Sequence, residues 1–342
     1  MQIKSILLTC LFACVLCFAC GEETGTNEDY KDNLPDWDAL NITLPEAVKA
    51  KFKTSENQIA KSYTDAVAIT KDLNPILYYL LAVVDEIVAN PPSRTEGNNI
   101  IWEASEPLSG LSAVIPRFTL GEMEVEGVMN HTYTFELRHK NDSADSFVKV
   151  WWGLMAPDSS MARRGAGQMT IDFDAAKSVD PATMESGLVV VDYDIRVDVD
   201  RSIDIYFEDF HADNAPDDTV LNATYNYLDA KDLSGMLKLS AFDEQYMDEG
   251  NNAVCLIEFD VNWQSNGAGQ STVTVSECDI EDGIDKYSID ECWNDSFYRT
   301  YYSALVYWDK DNPPSWANEN MDNPIQDQET LFGDIEECPA DF

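Results

Sequence analysis

Apolar and polar positions alternate with a period of two from about residue 99 onward, and this pattern dominates the chain. Thr132-Tyr133-Thr134-Phe135-Glu136-Leu137-Arg138 alternates without a break, as does Met169-Thr170-Ile171-Asp172-Phe173-Asp174. That period sends successive side chains to opposite faces of a strand. Val189 through Val199 predicts another strand, with Asp192, Asp194, Arg196, Asp198 and Asp200 on one face. Further strands are predicted over 100–105, 115–126, 146–155, 202–210, 219–228, 235–242, 253–264 and 270–278. Asn141-Asp142, Asp213-Asn214 and Asn266-Gly267 supply turn signals between several of them. Strands in series with short connections predict an antiparallel meander, one face on a core and one in water. About eight to eleven such strands would curl into a barrel or a curved half-barrel.

Before residue 99 the period is helical. Val48, Phe52, Ile59, Tyr63, Val67 and Thr70 form one stripe at spacings of three, four and seven. Lys49, Lys51, Lys53, Lys61 and Lys71 make this stretch basic. Asn74 and Pro75 read as the cap and first turn of a second helix, apolar from Ile76 to Val84 and stopped by Asn90-Pro91-Pro92. The fold class expected is therefore mainly β with N-terminal helices over 45–89, the helix pair covering the concave face of the sheet. Residues 44–342 read as one β-rich domain, with strands over about 99–278 and a C-terminal part over 279–342. Within that part residues 288–308 are rich in aromatics, Trp293, Phe297, Tyr298, Tyr301, Tyr302, Tyr307 and Trp308; they are read as core packing, with Phe297, Tyr301 and the residue after each on a short helix against the sheet, and an exposed platform for sugar as the alternative.

The first twenty residues change where this fold is expected to live. A short basic start precedes an apolar run from Ile6 to Ala19, too short to span a bilayer and of the form of a secretion signal. Leu16-Cys17-Phe18-Ala19-Cys20-Gly21 places a small residue before a cysteine, the pattern of a lipoprotein cleavage site. Residues 1–19 are thus read as a signal peptide and Cys20 as the lipidated N-terminus. Residues 20–43, rich in Glu and Asp, are read as an extended acidic tether. Four of the other cysteines, Cys255, Cys278, Cys292 and Cys338, can pair completely, which leaves Cys20 unpaired unless lipid caps it. A two-residue turn at Asn266-Gly267 sets Cys255 opposite Cys278 and leaves Cys292 with Cys338. A three-residue loop, Ser265-Asn266-Gly267, instead matches Phe259 with Val273 and moves Cys255 off Cys278, and a bulge could reconcile the two.

With a formal net charge of −41 over 342 residues, the chain repels phosphate backbones, so no nucleic-acid partner is expected. Anionic headgroups repel it as well, so the partner membrane would be held through the N-terminal lipid. The acids read as a solvated exterior, with cation binding as the sharper alternative.

Gly165-Ala166-Gly167-Gln168-Met169-Thr170-Ile171-Asp172-Phe173-Asp174, Trp263 with Gly267-Ala268-Gly269, and Glu291-Cys292-Trp293-Asn294-Asp295-Ser296-Phe297 with Arg299 and Tyr301-Tyr302 are similar to predicted lipoproteins of deltaproteobacterial type with a type II signal peptide. The resemblance covers about residues 100–308. That group carries no assigned activity, so it implies a cell-envelope location and no functional residues.

A search for chemistry along the chain finds little. His131, His139 and His211 are the three histidines, and no metalloprotease, nucleophile-elbow, P-loop or dinucleotide motif occurs. His131 and His139 read as strand-end residues. Arg163-Arg164-Gly165-Ala166-Gly167 is a glycine-rich loop with two bases, but a strand follows where a phosphate cradle needs a helix. Asn318, Asn320, Asp322, Ile325 and Glu329 stand at positions 1, 3, 5, 8 and 12 of an EF-hand-like calcium loop, with Asn323 where glycine is usual. Calcium is the one candidate cofactor. The chain is expected to be a non-catalytic, lipid-anchored envelope protein, periplasmic or surface-facing and on the outer membrane, holding a lipid or other apolar ligand in its curved sheet. The alternative is a structural or interaction protein binding a partner, a glycan or divalent cations, which a filled core would favour. A carboxylate hydrolase ranks last.

Overall fold

The computed structural model describes residues 28–45, 59–105, 113–143, 146–180, 182–211, 220–243, 254–277, 284–308, 324–326, 335 and 338. The signal segment and Cys20 lie outside these residues. The protein is mainly β, its strands following chain order in an antiparallel meander. Three helices come first: α1 (Glu28–Lys31), α2 (Trp37–Leu40) and α3 (Lys61–Val88). The single domain expected over 44–342 divides into two compact units, Gln2–Ile42 with Lys71–Val220 and Thr43–Thr70 with Leu221–Phe342, the division falling inside α3.

In the first unit the strands are β1 (Arg94–Glu96), β2 (Asn99–Glu103), β3 (Val114–Val125), β4 (Val128–His139), β5 (Val148–Pro157), β6 (Gly165–Asp172), β7 (Ser186–Asp194) and β8 (Arg201–His211). Each pairs antiparallel with the next. A short helix, α4 (Phe173–Val179), joins β6 to β7 and is capped by Asp172, whose carboxylate accepts from the Ala175 N–H. Alternation is complete in β7, where Val189, Val191 and Tyr193 are buried and Val190 and Asp192 are not. The strand stops at Asp194. Asp198 and Asp200 therefore lie in the connection to β8 and not on a common strand face with Asp192.

The buried face carries large aromatic side chains in contact. Trp102 meets Phe118, Phe118 stacks on Trp151, and Trp151 meets Tyr133, with centroids 5.9, 6.2 and 5.2 Å apart. Two glycines make room for two tyrosines. Gly153 lies across from Tyr133, and a Cβ there would sit 2.2 Å from its ring. Gly167 lies across from Tyr193, and a Cβ there would sit 2.7 Å from its hydroxyl. The two hydroxyls then meet at 3.1 Å.

Residues 28–43 are folded, against the expected tether. Leu34, Leu40 and Ile42 are buried, Tyr30 packs edge-on against Trp102, and Trp37 packs edge-on against Tyr78. The apolar residues are few, but their burial outweighs the repulsion of the acids between them. Nor does Asn74 begin a helix. It lies inside α3, where its amide accepts from the Ile42 N–H at 2.7 Å and donates to the Ile42 carbonyl at 2.8 Å. Pro75 gives up one backbone donor within the helix without ending it. The two expected helices are thus one over 61–88, and residues 46–58 lie outside the described set.

In the second unit the strands are β9 (Leu221–Asp229), β10 (Gly235–Asp243), β11 (Cys255–Trp263), β12 (Gly269–Ser276), β13 (Ile284–Trp293), β14 (Arg299–Trp308) and β15 (Ile325–Gln326), again paired in order. The pairing of β11 with β12 sets Phe259 opposite Val273 and Trp263 opposite Gly269, the register that keeps apolar residues together. The aromatic-rich residues 288–308 belong to the β13–β14 hairpin, and where a short helix was expected around Phe297 and Tyr301 the chain turns and enters β14. Polar residues at buried positions, Ser288, Glu291 and Ser303, hide the hairpin's alternation in the sequence. Glycine again faces an aromatic ring across the ladder, Gly235 against Trp263 and Gly269 against Trp293. In neither unit does the first strand pair with the last, so the meander is open and the expected barrel closure is not found among the described residues.

Candidate binding face

The outer side of β4–β8 in the first unit brings together the residues with most to offer a ligand. One row across five strands is Thr134, Trp152, Thr170, Val190 and Tyr206, each directly opposite the next. The row beside it is Thr132, Leu154, Gln168, Asp192 and Asp204. Their positions alternate with Tyr133, Trp151, Met169, Val191 and Ile205, which are buried, so the strand period places both rows on the opposite face. Trp152 and Leu154 are half-buried, Gln168 and Tyr206 are exposed, and the small Thr170 is covered by its larger neighbours.

The polar row is internally organised. Gln168 Nε2 donates to Asp192 Oδ1 at 2.7 Å. Asp192 stands directly opposite Asp204, and like charges in that position destabilise a sheet. Partial burial, with the two carboxylates adding to it, holds the Tyr206 phenol above its ordinary range. The Lys149 ammonium lies 4.0 Å over the Trp152 ring, leaving the indole as a cation-backed platform. At the strand ends Asp158 accepts from the Ser160 hydroxyl, the Val197 N–H and the Ser160 N–H, which together push its carboxyl down to about 2. Arg196 pairs with Asp194 beside it. Aromatic surface next to fixed acceptors suits a ligand with both C–H faces and hydroxyl donors.

The sequence candidates fall elsewhere. Cys292 and Cys338 form a disulfide with Cα atoms 5.4 Å apart. Cys255 is also disulfide-bonded, and Cys278 lies outside the described residues. So do Asn318, Asn320, Asp322 and Glu329, while Ile325 of the same proposed calcium loop pairs with Val306 in β15. Among the described residues no three of His, Cys, Asp and Glu are placed to hold a metal ion, and no helix is long and apolar enough to cross a membrane. His139 ends β4 and its Nδ1 accepts from the Asn141 N–H. His131 is not at a strand end. It lies within β4 opposite Glu122, and burial lowers its pKa. Arg163 and Arg164 connect β5 to β6 and are engaged by acids: Arg163 Nη2 donates to both Asp85 oxygens at 3.0 Å, and Arg164 lies 3.5 Å from Asp36.

One buried charge escaped the sequence reading. Glu291 of β13 is fully buried in the second unit. Its carboxylate accepts from the Lys61 N–H at 3.0 Å and the Ser62 N–H at 2.6 Å, first-turn donors for which α3 itself supplies no carbonyl, and from Arg299 Nε. Arg299 in turn lies 4.6 Å over the Tyr302 ring. Two of these donors are backbone groups at the start of α3, so the acid serves as its cap. Its signal in sequence was a lone acid on the apolar parity of a strand, Ile289-x-Glu291-x-Trp293.

Compared with known proteins, the chain matches no family model, no curated protein and no solved structure.

Proposed function

We propose that this is a non-catalytic protein of the bacterial cell envelope, lipid-anchored at Cys20, whose outer β4–β8 face binds a neutral glycan. The juxtaposition of Trp152 and Tyr206 with the Gln168–Asp192–Asp204 row carries the reading. Sugar C–H faces would stack on the rings, and sugar hydroxyls would donate to the carboxylates. Trp152 and Tyr206 lie three strand spacings apart, about 14 Å, the span of a short oligosaccharide. A neutral ligand is favoured because an anionic one meets a chain of net charge −41. The aromatic packing around Trp151 and Tyr133, tight enough that Gly153 has no room for a methyl group, supports surface binding over an apolar ligand inside the sheet. The test is a neutral-oligosaccharide array followed by calorimetry on native, Trp152→Ala and Asp192→Asn proteins. Binding that either variant weakens tenfold or more supports the reading, and binding indifferent to both sinks it. For the anchor, metabolic labelling with palmitate should mark the native chain and not the Cys20→Ser variant.

A further inference from the structure

The β3–β4 hairpin runs beyond the sheet that holds its base. β2 pairs with β3 only from Arg117 to Leu120, and β5 pairs with β4 only from His131 to Leu137. Beyond those limits residues 121–130 form a two-stranded arm, and among the described residues neither of its outer edges has a strand partner. The Asn130 amide donates to the Val128 carbonyl, and the acids Glu122 and Glu124 stand on the β3 strand of the arm. The arm closes at Glu126-Gly127, whose φ values of 51° and 82° suit the two-residue turn that follows the natural strand twist.

This arm exposes a concentration of large apolar side chains. Met123, Val125, Val128 and Met129 are 47%, 38%, 51% and 48% exposed. Val125 lies opposite Val128 and shares its face with Met123, while Glu122, Glu124 and Met129 occupy the other. No Lys or Arg occurs between Arg117 and Arg138, so the arm is purely acidic, with Glu122, Glu124 and Glu126 at its end. Native proteins blunt open edges with lysine, proline, bulges or cover. This one keeps an open backbone edge, an apolar face and a single sign of charge.

We propose that the arm is a docking site for a basic, extended segment of a partner protein, which adds to its β3 side as a further strand. The outward main-chain groups would bond the added strand, its alternate apolar residues would pack on Met123 and Val125, and its alternate basic residues would meet Glu122 and Glu124. Charge complementarity selects this occupant. A second copy of the chain would set acid against acid, and an anionic lipid surface would repel the same three glutamates.

The experiment measures fluorescence anisotropy of a labelled eight-residue peptide alternating Lys and Val with the full chain at physiological salt, with a peptide alternating Glu and Val as control. The Lys–Val peptide should bind and the control should not. Met123→Thr/Val125→Thr/Val128→Thr keeps strand-forming residues at exposed positions and should weaken binding tenfold or more, with an unchanged circular dichroism spectrum. Glu122→Gln/Glu124→Gln/Glu126→Gln should weaken it as well and flatten its salt dependence. Three results overturn the proposal: no binding of the Lys–Val peptide, equal binding by native and variant chains, or co-sedimentation of the native chain but not the threonine variant with phosphatidylcholine vesicles, which would make the arm a lipid-inserting element.

Discussion

Removing the Glu291 carboxylate tests the buried acid most sharply. It is wholly buried, accepts from two backbone donors at the start of α3, and pairs with Arg299, whose side chain is 20% exposed. Glu291→Ala removes a helix cap, worth about 1 kcal/mol. It also leaves a largely buried guanidinium without its partner, a loss of about 3–5 kcal/mol that includes much of the cap effect. The expected total is therefore about 3–5 kcal/mol. Glu291→Gln keeps an acceptor for one backbone N–H but loses the charge-assisted bond, so about 2–3 kcal/mol is expected. Urea unfolding followed by tryptophan fluorescence gives both values, since Trp293 lies on β13 beside the site and packs against Tyr63 of α3. In a double-mutant cycle with Arg299→Met, the paired change should cost less than the sum of the single ones by about 1.5–3 kcal/mol. A Glu291→Gln protein within about 0.5 kcal/mol of native would refute the argument that this carboxylate holds the helix start in place.

Four more outcomes follow from the structure. Gly153→Ala brings a methyl group to 2.2 Å from the Tyr133 ring and should destabilise the first unit by about 1–3 kcal/mol in a thermal melt; an unchanged midpoint would mean the tyrosine has room to move. Tyr133 and Tyr193 are held above the ordinary 10.0 by burial, so the folded chain keeps protons that the unfolded chain releases. Stability from them is full below the ordinary 10.0 and falls as pH rises above it, and two phenolates should appear only with unfolding in a spectrophotometric titration. Asp158, held at about 2, acts in the opposite sense, contributing above its ordinary 3.8 and ceasing to as pH falls toward 2. Cys292→Ser/Cys338→Ser opens a bridge between residues 46 apart and should cost about 2–4 kcal/mol in denaturant unfolding, with no loss if the bridge is absent in solution.

The sheet was legible in the sequence wherever strand faces were chemically unlike. β7 shows its alternation openly because its inward positions are Val189, Val191 and Tyr193 and its outward ones include Asp192 and Asp194. The β13–β14 hairpin was not legible, since Glu291, Ser288 and Ser303 are polar residues on buried positions, satisfied or tolerated only by tertiary neighbours. Asn74-Pro75 gave a strong helix-start signal that tertiary structure overrode: the Asn74 amide bonds both backbone groups of Ile42, a partner 32 positions away. The segment 28–43 reads as a tether because of its charge density, whereas three of its apolar residues, Leu34, Leu40 and Ile42, are buried. The candidate binding face could not be read from any one strand. Its residues come from β4 to β8, and only the registers place Trp152, Gln168, Asp192 and Tyr206 in adjacent rows. The exposed hairpin tip is hidden for a similar reason, since a strand predicted over 115–126 does not show where its neighbours stop, and β2 and β5 stop short of Met123 and Val128.

The central claim is that the β4–β8 face, and not the interior of the sheet, is where this protein meets its ligand. The most direct measurement is isothermal calorimetry of the full chain against the best neutral oligosaccharide from an array, repeated with Trp152→Ala. The account predicts saturable binding that the substitution weakens at least tenfold while the unfolding midpoint stays put. Equal binding by both proteins, or no neutral glycan bound while a lipid co-purifies in stoichiometric amount, would contradict it.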